Sequence, residues 1–167
     1  MTENTWKSMV WRQFGAAIDM LENAIHACPD EVWGDRTRQP QFWYVAYHTL
    51  FFLDLYLAPG VEGFAPPPPF TSGELEDDVL PDRVYTRDEL RAYLRHGRDK
   101  CRATIEGMTD EEAERRAGFD WLDLSRAELL LYNLRHVQHH AAQLNLILRQ
   151  ATGSAPRWVA TEGAGQR

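Results

Sequence analysis

FWYVAYHTLFFLDLYL, at residues 42–57, is apolar almost all round when it is placed on a helix. Helices of this kind are buried inside a protein or shared with a partner chain. Pro40 precedes the stretch, and proline suits a helix start because its missing N–H would have no helical partner there. Pro59 and Gly60 follow the stretch and end a helix. The sequence therefore predicts a central helix from about residue 41 to residue 57.

Capping boxes predict the starts of three further helices. In each box, the Thr or Ser hydroxyl and a Glu three residues later satisfy free backbone N–H groups at the helix start. The three pairs are Thr86 with Glu89, Thr109 with Glu112, and Ser125 with Glu128. We expect a long helix that ends at Gly107, a short acidic helix that ends near Gly118, and a last helix at about 126–151 that is stopped by Gly153.

The N-terminal segment supplies a fourth long helix. Its apolar residues recur every three or four positions from Trp6 to Cys28, which is the pattern of one helix face. No stretch alternates with the period of two that is typical of a strand, so the 167-residue chain is predicted to be all-α. Four long helices in one domain predict a four-helix bundle over residues 1–151. The small, polar segment 152–167 is expected to be a flexible tail, with Trp158 as the residue that would dock.

A long connection separates the second and third long helices. It contains the four consecutive prolines 66–69, which favour an extended polyproline course. An extended chain advances about 3 Å per residue and can cross a whole bundle. This length permits the second and third long helices to run parallel, which a short hairpin would forbid.

The composition excludes several classes of protein. With 18 Lys and Arg against 25 Asp and Glu, the net charge is −7, and no basic stripe is present for tracking nucleic-acid phosphates. The two cysteines, Cys28 and Cys101, are too few for a disulfide framework or a four-thiolate zinc site, so any metal site must use histidine and carboxylate. No apolar run reaches the about 18 residues of a membrane span, and nothing resembles a signal peptide. We expect a cytoplasmic protein that binds neither nucleic acid nor membrane.

Three of the six histidines lie in the window HVQHH of the last helix. At about 100° per residue, His136 and His140 are about 40° apart on the inward apolar face, which Gln143 shares, whereas His139 lies on its margin. Residues at i and i+4 have Cβ atoms roughly 5–6 Å apart, close enough for two imidazoles to bind one metal ion. By the same geometry His48 of the central helix also points into the core.

A shared metal ion would explain why three histidines face one small core. Burying an imidazole without partners costs roughly 1–3 kcal/mol per unsatisfied group. A divalent ion satisfies three lone pairs at once, and three protein ligands leave positions open for water or substrate, as in catalytic sites. We predict a metal site formed by His48, His136 and His140. His139 is expected at its rim, although a shift of one position would make it the ligand.

The residues around this site have structural as well as functional interpretations. Gln143 would hold an imidazole N–H or a bound water, or would be a polar residue at a helix contact. Tyr44 is a core aromatic or a residue near the metal. Asp54 falls about 120° round the central helix from the candidate ligand and is excluded. His96 fits a surface position.

The motif-bearing segments FWYVAYHTLFFLDLY and LRHVQHHAAQLN resemble the DinB-like (DinB/YfiT) superfamily. The resemblance covers about residues 5–151 and consists of one inward histidine in the second long helix, a long crossover, and HxxxH followed three residues later by Gln. It implies that the three histidines bind a divalent metal ion, with zinc, nickel, iron and manganese as the alternatives. It also implies an up-down-down-up bundle and a homodimer.

The chain departs from the usual family pattern beside the glutamine. Many relatives have HRGQ, whereas Ala141 and Ala142 stand here between His140 and Gln143, so any anion-binding role of that arginine is lost. Thiol-dependent transferases and isomerases in the family imply a low-molecular-weight thiol cofactor and a small-molecule substrate. The metal would lower the pKa of a bound thiol or water.

Three functions are therefore considered. The first is a metal-dependent thiol S-transferase or hydrolase that acts on a small molecule. The second is a non-catalytic metal-binding or stress-associated dimeric bundle. The third is an interaction domain whose histidines are only a buried polar cluster.

Overall fold

The computed structural model describes residues 5–76 and 80–164, and this part of the chain is all-α, as predicted. In chain order the helices are α1 (Thr5–Ala27), α2 (Asp30–Trp33), α3 (Phe42–Leu55), α4 (Arg87–Gly107), α5 (Asp110–Glu114) and α6 (Arg126–Thr152). The four long helices are the ones that the sequence predicts. The four-residue α2 was not predicted, because one turn is too short to show a helical period.

The three predicted capping boxes are all present. In each, the Thr or Ser hydroxyl accepts a hydrogen bond from the N–H of the glutamate, whose carboxylate accepts one from the N–H of the cap residue. Gly153 ends α6 at φ 81°, in the left-handed region that favours glycine. α5 ends at Glu114, before the predicted helix end near Gly118. The backbone is extended at Arg115, and the Ala117 N–H then donates to the carbonyl of Leu124 at 2.8 Å instead of to a helical partner.

α3 lies at the centre of the molecule. Eleven of its fourteen residues are buried within this one chain, so its apolar surface needs no partner chain to cover it. α1 and α3 each pack against both α4 and α6. None of the described helices is long and apolar enough to cross a membrane.

The connection between α3 and α4 is fixed to the core by aromatic packing. After the prolines, Phe70 is buried and stacks on Tyr93 of α4, with ring centroids 4.4 Å apart. A single 3-10 turn, Ser72–Leu75, follows, although no regular helix was expected there, and Thr71 caps it. Residues 77–79 of this connection lie outside the described residues.

Part of the segment after α6 lies against α1. The Glu162 N–H donates to the carbonyl of Arg12 at 2.9 Å, and the Gly163 N–H donates to the carboxylate of Asp19 at 2.8 Å. These bonds hold a section of the tail for which flexibility is predicted from composition. Residues 165–167 of that tail lie outside the described residues, as do residues 1–4 at the other end.

The residue that docks from the tail is Val159 rather than Trp158. Trp158 is 68% exposed, so the expectation that it would dock is wrong, whereas Val159 is buried. Size and apolarity favoured the tryptophan in the sequence. The backbone bonds that follow at 162 and 163 instead place the smaller neighbour against the core.

Candidate metal centre

α3 and α6 bring the side chains of His48, His136 and His140 together. The ring centroids of His136 and His140 are 4.6 Å apart. The ring centroid of His48 lies 5.5 Å from that of His136 and 4.9 Å from that of His140. Each imidazole offers one nitrogen, and these three nitrogens lie within 4.8 Å of one another. The i, i+4 spacing on α6 accounts for one pair, and the packing of α3 on α6 brings the third ring.

Glu74 holds His48 from the crossover connection. His48 Nδ1 lies 2.6 Å from Glu74 Oε1, which also accepts a hydrogen bond from the Tyr44 hydroxyl at 3.0 Å. An ionised carboxylate only accepts hydrogen bonds, so Nδ1 of His48 carries the proton and Nε2 keeps its lone pair. Tyr44 therefore contacts the cluster through Glu74 and also directly, since its ring centroid lies 6.2 Å from that of His48. This arrangement is typical of metal-binding histidines, whose other nitrogen donates to a carboxylate.

Gln143 holds His140 in the corresponding way. His140 Nδ1 lies 2.6 Å from Oε1 of Gln143, three residues further along α6. Because the amide oxygen accepts, the proton is on Nδ1 of His140 and the lone pair is on Nε2. Of the two roles considered for Gln143, the structure therefore gives it the contact with an imidazole.

His136 has no partner among the described residues. Both of its ring nitrogens are buried and neither forms a hydrogen bond. Its ring is enclosed by Phe52 and Tyr56, whose centroids lie 5.8 Å and 6.3 Å away. In a neutral imidazole one of the two nitrogens carries a lone pair. When that nitrogen is buried, its lone pair costs free energy until a donor or a metal ion satisfies it.

Burial keeps the ligand candidates on α6 neutral. Burial, together with the smaller effect of the neighbouring imidazoles, lowers the pKa of His136 to about 3. Burial also lowers the pKa of His140 to about 4, against the opposing effect of its bond to Gln143. Near pH 7 both rings therefore offer lone pairs rather than positive charge, which is the form that binds a cation. The donor set fits a divalent metal ion.

His139 lies at the edge of the cluster. Its side chain is exposed, and its ring packs edge-on against His140 with centroids 5.0 Å apart. It does not belong to the group of three whose nitrogens converge.

Asp54 belongs to a separate polar network on the other side of α3. Its carboxylate is fully buried and accepts from the Tyr93 hydroxyl at 3.1 Å and from Lys100 Nζ at 2.5 Å. Nε2 of His96 lies 3.3 Å from the same carboxylate. The ring of His96 is 43% exposed, so the expected surface position holds, but one of its nitrogens has a buried partner.

Glu74 is the residue of this site that sequence reasoning missed. It lies 26 positions from His48 in a connection without helical periodicity, so no spacing rule links the two residues. The available signal is local: Thr71 caps a short turn directly after the prolines, and the turn carries a carboxylate in an otherwise extended segment. Only the fold shows that this turn reaches α3.

An apolar groove of about 470 Å³ opens beside the cluster. α3, the crossover connection and the segment between α5 and α6 contribute its walls. The residues that line it are Phe52, Tyr56, Val61, Glu74, Leu75 and Trp121.

Comparison with known proteins supports one family. A family model described as the DinB superfamily matches residues 13–144, a range that includes the three clustered histidines and Gln143. Comparisons with curated proteins and with solved structures give no significant match. The match covers most of the chain, from α1 into α6, and the chain therefore belongs to the DinB superfamily.

Proposed function

We propose that the protein binds a divalent metal ion through His48, His136 and His140 and uses it as an enzyme on a small molecule. The observation that carries this proposal is the contrast within the cluster. Two imidazoles are held at Nδ1 by Glu74 and Gln143, and the third has no hydrogen-bond partner at either nitrogen among the described residues. Zinc, nickel, iron and manganese all accept imidazole ligands, and their selection depends on geometry and supply.

The reaction proposed is transfer of a low-molecular-weight thiol to a small electrophile, or hydrolysis of such a molecule. A bound divalent ion lowers the pKa of a thiol or water that it binds. The chain supplies the other requirements. Glu74 and Gln143 fix the orientation of two imidazoles, and the adjacent groove offers an apolar surface for the substrate.

The protein's own thiols do not serve such a reaction. Cys28 and Cys101 are both buried, and burial raises the pKa of Cys28 to about 12 and that of Cys101 in the same direction. Buried neutral thiols of this kind are inert. The thiol in the transferase reaction therefore comes from a small-molecule cofactor.

Metal content tests the first half of the proposal. Elemental analysis of the purified protein is expected to find about one metal ion per chain, because the described residues offer one converging donor set. His48→Ala and His136→Ala are expected to lose the metal, whereas His26→Ala, at an exposed position of α1, is the matched control and keeps it. Wild-type protein that neither contains nor takes up metal would overturn the proposal and leave only a buried polar cluster.

Ligand exchange at the metal tests the second half. Addition of a cellular thiol to cobalt-substituted protein is expected to change its visible spectrum, and turnover of a test electrophile is expected to follow. A cobalt spectrum that no thiol changes would exclude the transferase, and a test for hydrolysis would then decide between an enzyme and a non-catalytic metal-binding bundle.

We propose that α1, α3, α4 and α6 form a four-helix bundle in up-down-down-up order. The first support is that α3 and α4 keep the same direction. Tyr85, just before α4, contacts Trp43 at the start of α3, with ring centroids 6.0 Å apart, and Lys100 late in α4 bonds Asp54 near the end of α3. The crossover connection between them makes this direction possible.

The other two helices run against this pair in the proposed order. Lys7 near the start of α1 donates to the carbonyl of Glu106 at the end of α4, at 3.1 Å. Tyr132 early in α6 contacts Tyr56 just after α3, with centroids 5.3 Å apart. An experimental structure in which α3 and α4 were antiparallel would contradict the proposed order.

A further inference from the structure

The apolar groove beside the histidine cluster carries information about the substrate. Its volume of about 470 Å³ falls within the range of small-molecule sites, which are mostly apolar with a few polar groups. Phe52 and Tyr56 form one wall, and Val61 and Leu75 of the crossover connection form the other. Trp121 stands at its edge and is 54% exposed, so much of its ring is free to be covered by a ligand.

Two of the aromatic residues that line the groove also contact the candidate metal ligands, none of which lines the groove itself. The ring of Phe52 has its centroid 4.8 Å from that of His48 and 5.8 Å from that of His136. Tyr56 also contacts His136. A molecule that occupies the groove is therefore separated from the imidazoles by no more than one layer of side chains.

The polar character of the groove comes from one carboxylate. Glu74 is its single charged residue, and no lysine or arginine is found among the described residues that line it. The side chain of Glu74 is only 3% exposed, and its Oε2 is buried without a hydrogen-bond partner among those residues, since both contacts with Tyr44 and His48 use Oε1. A buried acceptor without a partner favours a ligand that brings a donor. No lysine or arginine side chain of the described residues lines the groove to pair with an anionic ligand.

We propose that this groove binds the body of the substrate, and that this body is an uncharged aromatic or branched aliphatic group with one hydrogen-bond donor for Oε2 of Glu74. The inference rests on the proposed function and deepens it by naming the substrate class. The aromatic walls contact the apolar surface of such a body, and a hydroxyl group on it would satisfy the carboxylate oxygen.

A matched set of naphthalene probes tests this specificity by calorimetric titration near pH 7 of protein whose metal has been removed with a chelator, so that no probe can bind through a metal ion. 2-Naphthol is uncharged and carries a donor, 2-methoxynaphthalene lacks the donor, and 2-naphthoate carries a negative charge. We expect 2-naphthol to bind about tenfold more tightly than 2-methoxynaphthalene, which is the value of one hydrogen bond to a charged acceptor. 2-Naphthoate is expected to bind more weakly still, and tightest binding by 2-naphthoate would overturn the proposal.

Two tryptophan variants locate the binding. Trp121→Ala is expected to weaken 2-naphthol binding about tenfold, because it removes an aromatic wall. Trp158→Ala removes an exposed tryptophan that does not line the groove and is expected to leave binding unchanged. Before the chelator is added, both variants are expected to keep the wild-type metal content, so a folded site is verified in the same preparations.

The remaining outcomes separate this proposal from the metal-dependent function. Unchanged 2-naphthol binding by Trp121→Ala would overturn the groove as the binding site. If that variant instead altered the oligomeric state with unchanged probe binding, the groove would be a subunit interface and the proposal would be wrong. Wild-type protein that neither contained nor took up metal, but bound 2-naphthol through Trp121, would support the groove as a binding site and contradict the proposed metal-dependent function.

Discussion

α3 contains one histidine, His48, and one aspartate, Asp54, and the two side chains lie in different environments. Asp54 is fully buried against α4, and donors from Tyr93 and Lys100 satisfy its carboxylate. His48 faces α6, where it meets His136, whose two ring nitrogens have no partner among the described residues. One polar network is complete within the chain, and the other is incomplete.

The difference indicates which cluster stabilises the fold and which binds a ligand. Buried polar groups in native proteins are nearly always hydrogen-bonded, so an exception needs an explanation. The Asp54 network needs none, because donors from Tyr93 and Lys100 satisfy both oxygens of its carboxylate. The histidine cluster has unsatisfied nitrogens that converge, as expected for a site that an external cation completes. Variants of the two clusters should therefore affect different properties.

The largest effect is expected from Asp54→Ala. Its removal leaves the buried Tyr93 hydroxyl without its acceptor, and Lys100 keeps only its bond to the backbone carbonyl of residue 54 at 3.0 Å. Loss of these two hydrogen bonds to a buried carboxylate costs about 3 kcal/mol of unfolding free energy, which lowers Tm by about 6–12 °C in a protein of this size. Thermal and urea unfolding of metal-free protein measure the effect.

Asp99→Ala provides the matched control for Asp54→Ala. Asp99 is an exposed acid on α4 that forms no ion pair among the described residues, so its loss is expected to change stability by less than about 0.5 kcal/mol. The folded fraction of Asp54→Ala should still bind metal in full amount. A loss of metal with little loss of stability would reverse the roles assigned to the two clusters.

Glu74→Gln is expected to have the next largest effect, and on metal affinity rather than on folding. The amide keeps the size of the side chain but removes the charge that holds Nδ1–H of His48. Loss of such a carboxylate beside a ligand weakens metal binding about 10–100-fold. Competition with a chromogenic chelator measures the affinity. Glu76→Gln, at an exposed position two residues away, should keep the wild-type affinity, and an equal affinity in both variants would refute the role of Glu74.

His136→Leu is expected to stabilise the metal-free protein, whereas Asp54→Ala destabilises it. Leucine removes two unsatisfied buried nitrogens, so the metal-free variant is expected to be more stable than metal-free wild type by about 1 kcal/mol. The variant should also lose the stabilisation that added metal gives to the wild type. Thermal unfolding with and without metal measures both effects. A metal-free variant less stable than wild type would show that His136 has a structural partner.

The advantage of His136→Leu should grow as the pH falls. Because burial lowers the pKa of His136 to about 3 in the folded state, the unfolded chain takes up a proton below its ordinary pKa of about 6.5 and the folded chain does not. Wild-type stability is therefore lost between about pH 6.5 and pH 3, and the leucine variant lacks this contribution. An unfolding series across that range checks the slope.

The helices and the inward histidines could be predicted because both depend on local rules. The Thr86 and Ser125 boxes determine helix starts through bonds between residues three apart. The facing of His136 and His140 follows from the helical period alone, and the same period on the long apolar α3 turns His48 toward them, although its side chain stays 29% exposed. Each of these inferences uses neighbours on one element.

The missed features all depend on contacts between distant segments. Glu74 reaches His48 only because Phe70 and the prolines guide the crossover along α3. Val159 rather than Trp158 is buried because backbone bonds near the C-terminus fix that segment on α1. Composition and periodicity do not report such long-range bonds, so the sequence could predict the three clustered histidines but not the carboxylate that contacts one of them.

The smallest effect is expected from His139→Ala, which sharpens the boundary of the incomplete cluster. His139 neighbours His140 in sequence and contacts its ring, yet its side chain is exposed and its nitrogens do not converge with the other three. Metal affinity should therefore change by less than about twofold, because an exposed side chain outside the ligand set contributes little. Chelator competition with His139→Ala beside His140→Ala measures the contrast. If His139→Ala lost the metal and His140→Ala kept it, His139 rather than His140 would be the metal ligand.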